Sequence, residues 1–247
     1  MIWSKGIFMT ANEQVLREQL AASHHIIHFH GWDDLLATHL SAKIPGTDYL
    51  LITPMNVPFE EVCASNLLKC DFDGNLIGEH EHKLMPQAIN IHGEIYKCSD
   101  RIMSAMHTHS INGVAVSSLE CGLLFCNQQA LRFYNDIAYH DYDGLALHNE
   151  GEEIVKSLKE KNVMILRNHG LLTTGATIAQ ALYRLYYLEM VCEIQVETLS
   201  MGQKLSPISE DSCLKTKAQF DSILTPDLEL ETLMRRVEGL SPVDFRS

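Results

Sequence analysis

The stretch Met103-Ser104-Ala105-Met106-His107-Thr108-His109-Ser110 reads as a strand that ends in two histidines. Side chains two apart on an extended chain point to the same side, so His107 and His109 aim both imidazoles at one point. Two converging imidazoles are half of a catalytic metal site, and a third completes a three-ligand set with one position open. The other histidine that closes a strongly apolar run is His169, in Val163-Met164-Ile165-Leu166-Arg167-Asn168-His169-Gly170. The chain carries 13 histidines, and an H-x-H pair alone is more often a half-exposed strand face. The second run ending in His-Gly turns the pair into an expectation: His107, His109 and His169 as metal ligands.

The rest of the composition bounds the partners. With 247 residues, 46% of them hydrophobic and 21% charged, the chain can bury one sizeable core, and residues 1–247 are read as a single domain. A net charge of -13 with no basic cluster argues against nucleic acid or an anionic membrane surface as partner. The seven cysteines form no C-x-x-C pair and mostly sit in apolar stretches, which suits reduced, buried thiols and a cytoplasmic location. No signal peptide and no membrane span are expected, because no apolar run reaches eighteen residues.

Taken in order, Thr10 and Glu13 form a capping box for a first helix that stops at Gly31. Leu36 to Ile44 and Tyr49 to Thr53, separated by Pro45-Gly46-Thr47-Asp48, read as one antiparallel hairpin. Leu67 to Phe72 and Leu76 to Glu79, joined by Asp73-Gly74-Asn75, read as another. A helix over Gln87 to Cys98 leads into the His107 strand; a short helix over Ile111 to Leu119 and a buried strand over Cys121 to Cys126 follow. The segment Phe133 to Asp143 is dense in Tyr, His and Asp, which suits a polar pocket or a subunit seam as well as a solvated loop. Glu150 to Lys161 is amphipathic, Val163 to Leu166 is a buried strand, and Thr177 opens the longest helix, to about Gly202. Beyond about residue 205 a polar tail with one short helix near Leu228 to Val237 is expected. Strands with helices before, between and after them give an α/β three-layer sandwich with a mostly antiparallel central sheet.

Five marks in this order resemble the class II aldolase/adducin family over about residues 10–205. They are Gly31-Trp32-Asp33-Asp34-Leu35, Leu51-Ile52-Thr53-Pro54, His107-Thr108-His109, Ala138-Tyr139-His140-Asp141-Tyr142 and Arg167-Asn168-His169-Gly170-Leu171. Ala115-Val116-Ser117, Cys121-Gly122-Leu123-Leu124 and Cys192-Glu193-Ile194-Gln195-Val196 place it nearer the adducin-like, bacterial-type branch than the sugar-phosphate aldolases. The resemblance implies the three-layer fold, a cyclic homotetramer in which Tyr134 to Asp143 walls a neighbour's pocket, and a divalent ion on the three histidines. Three neutral imidazoles with an open position suit zinc and also accept manganese, cobalt or nickel.

The departures from the family pattern are as informative. The glutamate that moves the proton in the sugar-phosphate aldolases falls on Ala88, with His92 four residues later; two phosphate-binding serines fall on Pro86 and Gln87, and an asparagine falls on His39 ahead of Ser41. Candidates to replace the acid are Glu94, Tyr134 and, above all, Tyr139, His140 and Asp141. His92 is expected to support the metal strand through hydrogen bonds and not to ligate. Two functions stay open: a metal-dependent lyase, cleaving or decarboxylating a small, oxygenated, non-phosphorylated substrate, and a non-catalytic adducin-like interaction module. Cytoskeletal binding is disfavoured because the chain lacks a basic tail.

Overall fold

The structure is a computed structural model that describes residues 11–145 and 150–247. Helix α1 (Ala11–Phe29) precedes strands β1 (His39–Lys43), β2 (Tyr49–Ile52) and β3 (Leu68–Asp71). Helix α2 (Pro86–Cys98), strand β4 (Ser104–Thr108), helix α3 (Ile111–Ser117) and strand β5 (Ile137–His140) come next. Helix α4 (Glu150–Leu158), strands β6 (Val163–Leu166) and β7 (Gly170–Gly175), and helices α5 (Ile178–Ser200), α6 (Glu210–Ser222) and α7 (Pro226–Val237) complete the order. Among the described residues seven strands form one sheet, β3-β2-β1-β4-β7-β6-β5. Each neighbouring pair is antiparallel except β5 with β6, which run parallel and are joined through α4.

Alternation along the strands builds two apolar faces. Leu40, Ala42 and Met106 join α1, α5 and α7 on one side. Ile52, Ala105, Met164 and Leu172 join α2 and α4 on the other. Each large side chain buried this way contributes about 1.5–3 kcal/mol, and α5 supplies Leu182, Leu185, Leu188 and Val191 from one stripe. Thr177 caps α5 by accepting from Gln180 N (3.1 Å), and Pro86 opens α2 where its missing N–H costs nothing.

Several boundaries differ from the sequence reading. The strand expected from Leu36 begins only at His39, and Leu76 to Glu79 contributes a single bridge to Cys70. There Asp71 Oδ1 accepts the Asp73 and Asn75 amides (3.0 and 2.8 Å), closing the turn locally, and Gly78 takes φ +94°. Cys121 to Cys126 is irregular: Gly122 takes φ +61°, and the Leu123 and Leu124 amides donate to Tyr139 Oη (3.1 Å) and Gln195 Oε1 (2.7 Å) instead of to a strand. Strands β5 and β7 and helix α6 lie outside the elements expected from the sequence. The tail holds two helices, not one, with Leu230, Val237 and Phe245 in the core against α1 and α5. Thr10 lies outside the described residues; Glu13 accepts from Arg17 Nε (3.2 Å) and Lys69 Nζ (2.8 Å), fastening α1 to β3. All seven cysteines are free, but Cys98 and Cys121 are exposed, so only four of the expected buried thiols (Cys63, Cys70, Cys192, Cys213) are buried. Among the described residues no helix is long and apolar enough to cross a membrane.

Candidate metal centre

Strand β4 carries Ala105 and His107 on the α2 side of the sheet, and His109 follows just past its end. Ser110 then caps α3 by accepting from Gly113 N (3.1 Å), which stops the strand where the second imidazole is in place. His169 arrives differently from the expected strand end. Strand β6 stops at Leu166, Asn168 takes φ +57°, and β7 returns beside β4 with Thr108 opposite Leu171. The third histidine is therefore presented by a tight turn. Gly170 permits that turn to close, because a Cβ there would stand 2.3 Å from Thr108 O.

The three rings converge. One ligand nitrogen from each of His107, His109 and His169 lies within 4.8 Å of the other two. His107 Nε2 and His169 Nε2 are 3.2 Å apart, close to the about 3.3 Å spanned by two nitrogens on a tetrahedral ion at 2.0–2.1 Å. His107 donates Nδ1–H to Leu171 O (2.8 Å), so its Nε2 lone pair faces the cluster. His109 Nδ1 bonds Asp34 Oδ2 (2.8 Å), and its Nε2 is buried without a partner among the described residues. A buried imidazole nitrogen with no hydrogen-bond partner among the described residues, set among two others, is a donor set that fits a divalent ion. Burial would raise the Asp34 carboxyl, but hydrogen bonds from His109 and Thr38 hold it below its usual value, so it stays ionised. Burial, with repulsion from His109 and His140, lowers His169 to about 4 and leaves it free to donate a lone pair.

Asp34 had no role in the sequence reading. It lies in the Gly31-Trp32-Asp33-Asp34 turn, which Trp32 pins by stacking on His30 (4.5 Å) and meeting Tyr186 of α5 edge-on (5.7 Å). Glu189 of α5 was also missed: it accepts from Thr108 Oγ1 (2.7 Å) and from Ser110 Oγ, holding both ends of the His109 segment from beneath. Burial pushes its carboxyl up to about 7. No spacing in the sequence ties a residue eighty positions away to this strand.

The other expected site residues are dispersed. Of Tyr139, His140 and Asp141, His140 alone shares the side of the sheet that carries His107, beside Leu166, with Nδ1 bonded to Ser157 Oγ (3.0 Å) and Nε2 buried without a partner among the described residues. Tyr139 faces the opposite side, under the Arg167 guanidinium (4.7 Å). Asp141 is exposed and pairs with Arg167 (3.3 Å). Glu94 pairs with Lys97 (2.8 Å) and Tyr134 packs on Phe125 (5.0 Å). Ala88 is buried in the core with Ile91. His92 stays outside the three-histidine cluster, and its partners are His39 and Ser41 of β1, so it supports the strand next to β4.

Beside the three histidines opens a cavity of about 290 Å³, walled by His39, Met55, Met85, Gln87 and Ile91 among others. Among the described residues lining it there is no lysine, arginine or carboxylate. Residues 18–196 match the class II aldolase and adducin N-terminal domain. The chain belongs to the class II aldolase and adducin family. An aldolase II superfamily protein from Pseudomonas syringae superposes with a TM-score of 0.91 at 34% identity, covering 97% of this chain and 98% of that one. An L-fuculose 1-phosphate aldolase from Glaciozyma antarctica superposes at 0.86 with 26% identity, covering 99% and 97%. Alpha-adducin of Mus musculus is 34% identical over 256 residues, 96% of this chain but 35% of the adducin. The family thus holds both lyase-type folds and adducins.

Proposed function

We propose that the protein is a divalent-metal-dependent lyase, cleaving an aldol or releasing carbon dioxide from a small, oxygenated, non-phosphorylated substrate. The observation that carries this reading is the buried Nε2 of His109, without a hydrogen-bond partner among the described residues, beside the Nε2 atoms of His107 and His169. A bound zinc or similar ion would supply a Lewis acid that takes up negative charge developing on substrate oxygens. The chain's own residues do the rest. Asp34 and the Leu171 carbonyl fix two of the rings, and the apolar walls limit water around the substrate. The cavity offers a phosphate no cationic partner among its described lining residues, which favours a non-phosphorylated substrate. His140, on the metal side with a free buried nitrogen, is the proton-handling candidate best placed among Tyr139, His140 and Asp141. A homotetramer whose Tyr134 to Asp143 segment closes a neighbour's pocket belongs to the same proposal.

Ala88 favours a second reading, a non-catalytic adducin-like module, since it puts a methyl group where the sugar-phosphate aldolases have their acid. One experiment separates the two. The zinc-loaded protein is assayed on a panel of hydroxy and keto acids for aldehyde or carbon dioxide release, with fuculose 1-phosphate alongside. Turnover of an acid that is lost in His109→Ala supports the lyase, and brisk fuculose 1-phosphate cleavage by the wild type overturns the substrate class. Zinc uptake without any turnover favours the module.

A further inference from the structure

Behind the cavity runs a buried chain of four polar side chains that the proposed chemistry does not use. His39 Nδ1 meets His92 Nε2 (2.7 Å), His92 Nδ1 meets Ser41 Oγ, and Ser41 Oγ meets Tyr96 Oη (2.6 Å). The four residues are at most 3% exposed, so each proton must find an acceptor within the chain. Among the described residues the hydrogen-bond partner of the Tyr96 hydroxyl is Ser41 Oγ, which therefore accepts the phenol's proton. Ser41 then donates to His92 Nδ1, and His92 donates Nε2–H to His39 Nδ1. His39, with Nδ1 accepting, must carry its own proton on Nε2. Reversing the chain would strand the Tyr96 hydroxyl in the core without an acceptor.

We propose that His39 is a substrate-binding residue of the metal cavity, locked by Tyr96, Ser41 and His92 as the tautomer that offers Nε2–H to a carboxylate or carbonyl oxygen of a small hydroxy or keto acid. His39 lines the cavity with His107, His109 and His169, its ring 4.9 Å from that of His107. It is not one of the clustered ligand groups. A donor fixed in this way suits an oxygen acceptor, and no other N–H donor of comparable rigidity lines the described wall; Gln87 there is only half-buried. The assignment needs no change of charge, because burial keeps the rings neutral and lowers His92 to about 3. His92, Ser41 and Tyr96 are positioning residues that act through His39. The ligand class rests on the metal-lyase reading; the tautomer does not.

Long-range nitrogen–proton NMR on metal-free, histidine-labelled protein reports the tautomer directly, with the His39 signals assigned by their loss in His39→Leu. The wild type is expected to show His39 protonated on Nε2 alone, and Tyr96→Phe, which removes the terminal donor, to show both tautomers. A wild-type His39 protonated on Nδ1, or a tautomer unchanged in Tyr96→Phe, overturns the relay. Glycolate is then titrated into the zinc-loaded proteins. Binding that moves the wild-type His39 Nε2–H signal and weakens about ten- to a hundredfold in His39→Leu supports the ligand class, a loss expected for one hydrogen bond to a charged group. Equal affinity in both proteins, or zinc-loaded wild type that ignores glycolate, overturns it. Failure to take up zinc at all sinks the metal reading instead and leaves the relay decided by the metal-free spectra.

Discussion

Replacing Asp34 by alanine tests the metal centre without touching a ligand. The carboxylate accepts His109 Nδ1–H at 2.8 Å, which fixes the ring's orientation and leaves its Nε2 lone pair aimed at the cluster. Such partners are commonly worth ten- to a hundredfold in metal affinity. The Asp34 side chain is 34% exposed, so water can take over as acceptor once it is gone. The loss is therefore expected at the low end, about tenfold, or about 1.4 kcal/mol. Asp34 also accepts from Thr38 Oγ1 (2.7 Å), so Thr38→Val serves as the control for local loosening of the turn. Asp33→Ala, next door but bonded to His28 (3.0 Å), is the second control. Zinc competition against a chromophoric chelator at neutral pH measures all three. Asp34→Ala with wild-type affinity would falsify the orienting role of Asp34 on His109, and an equal loss in Thr38→Val would assign the effect to the turn and not to His109.

Gly170→Ala is expected to destabilise the protein by at least about 2 kcal/mol and to abolish zinc uptake, because its Cβ would stand 2.3 Å from Thr108 O and 3.0 Å from His109 Cδ2; urea unfolding and metal analysis of the refolded variant check this, and a stable zinc-binding variant would sink it. His24 and His92, both lowered to about 3 by burial, titrate near 6.5 when unfolded. The unfolded chain therefore binds more protons below 6.5, and stability of the metal-free protein falls as pH drops from about 6.5 towards 3, by about 1.4 kcal/mol per pH unit for each group; a flat urea midpoint between pH 6.5 and 4.5 would contradict the burial of both rings. Because the three imidazoles must be neutral to coordinate, zinc occupancy is expected to fall as the buffer is acidified; metal analysis after dialysis over a pH series checks this, and occupancy unchanged down to pH 4 would refute it. Light scattering at micromolar concentration is expected to give four times the 27.9 kDa chain mass; a monomer would remove the composite pocket.

Much of the framework was legible in the residues. The alternation of Met103 to His109 and the length of the apolar stripe from Ala181 to Val196 sufficed for the strand, the long helix and the layered sheet, because both depend on local periodicity. The three histidines were readable for the same reason, each closing an apolar run. Tertiary structure alone decided how they meet. Strand β7, not β6, pairs with β4, and His169 comes from the turn between them, a register that depends on which sheet edge each strand finds. Tyr139 and His140 are neighbours in sequence but face opposite sides of the sheet, so local density could not say which one shares the metal side. Asp34, Glu189 and the chain from His39 to Tyr96 stayed hidden because each contact joins residues brought together only by packing, where burial, and not spacing, compels a polar group to find a partner.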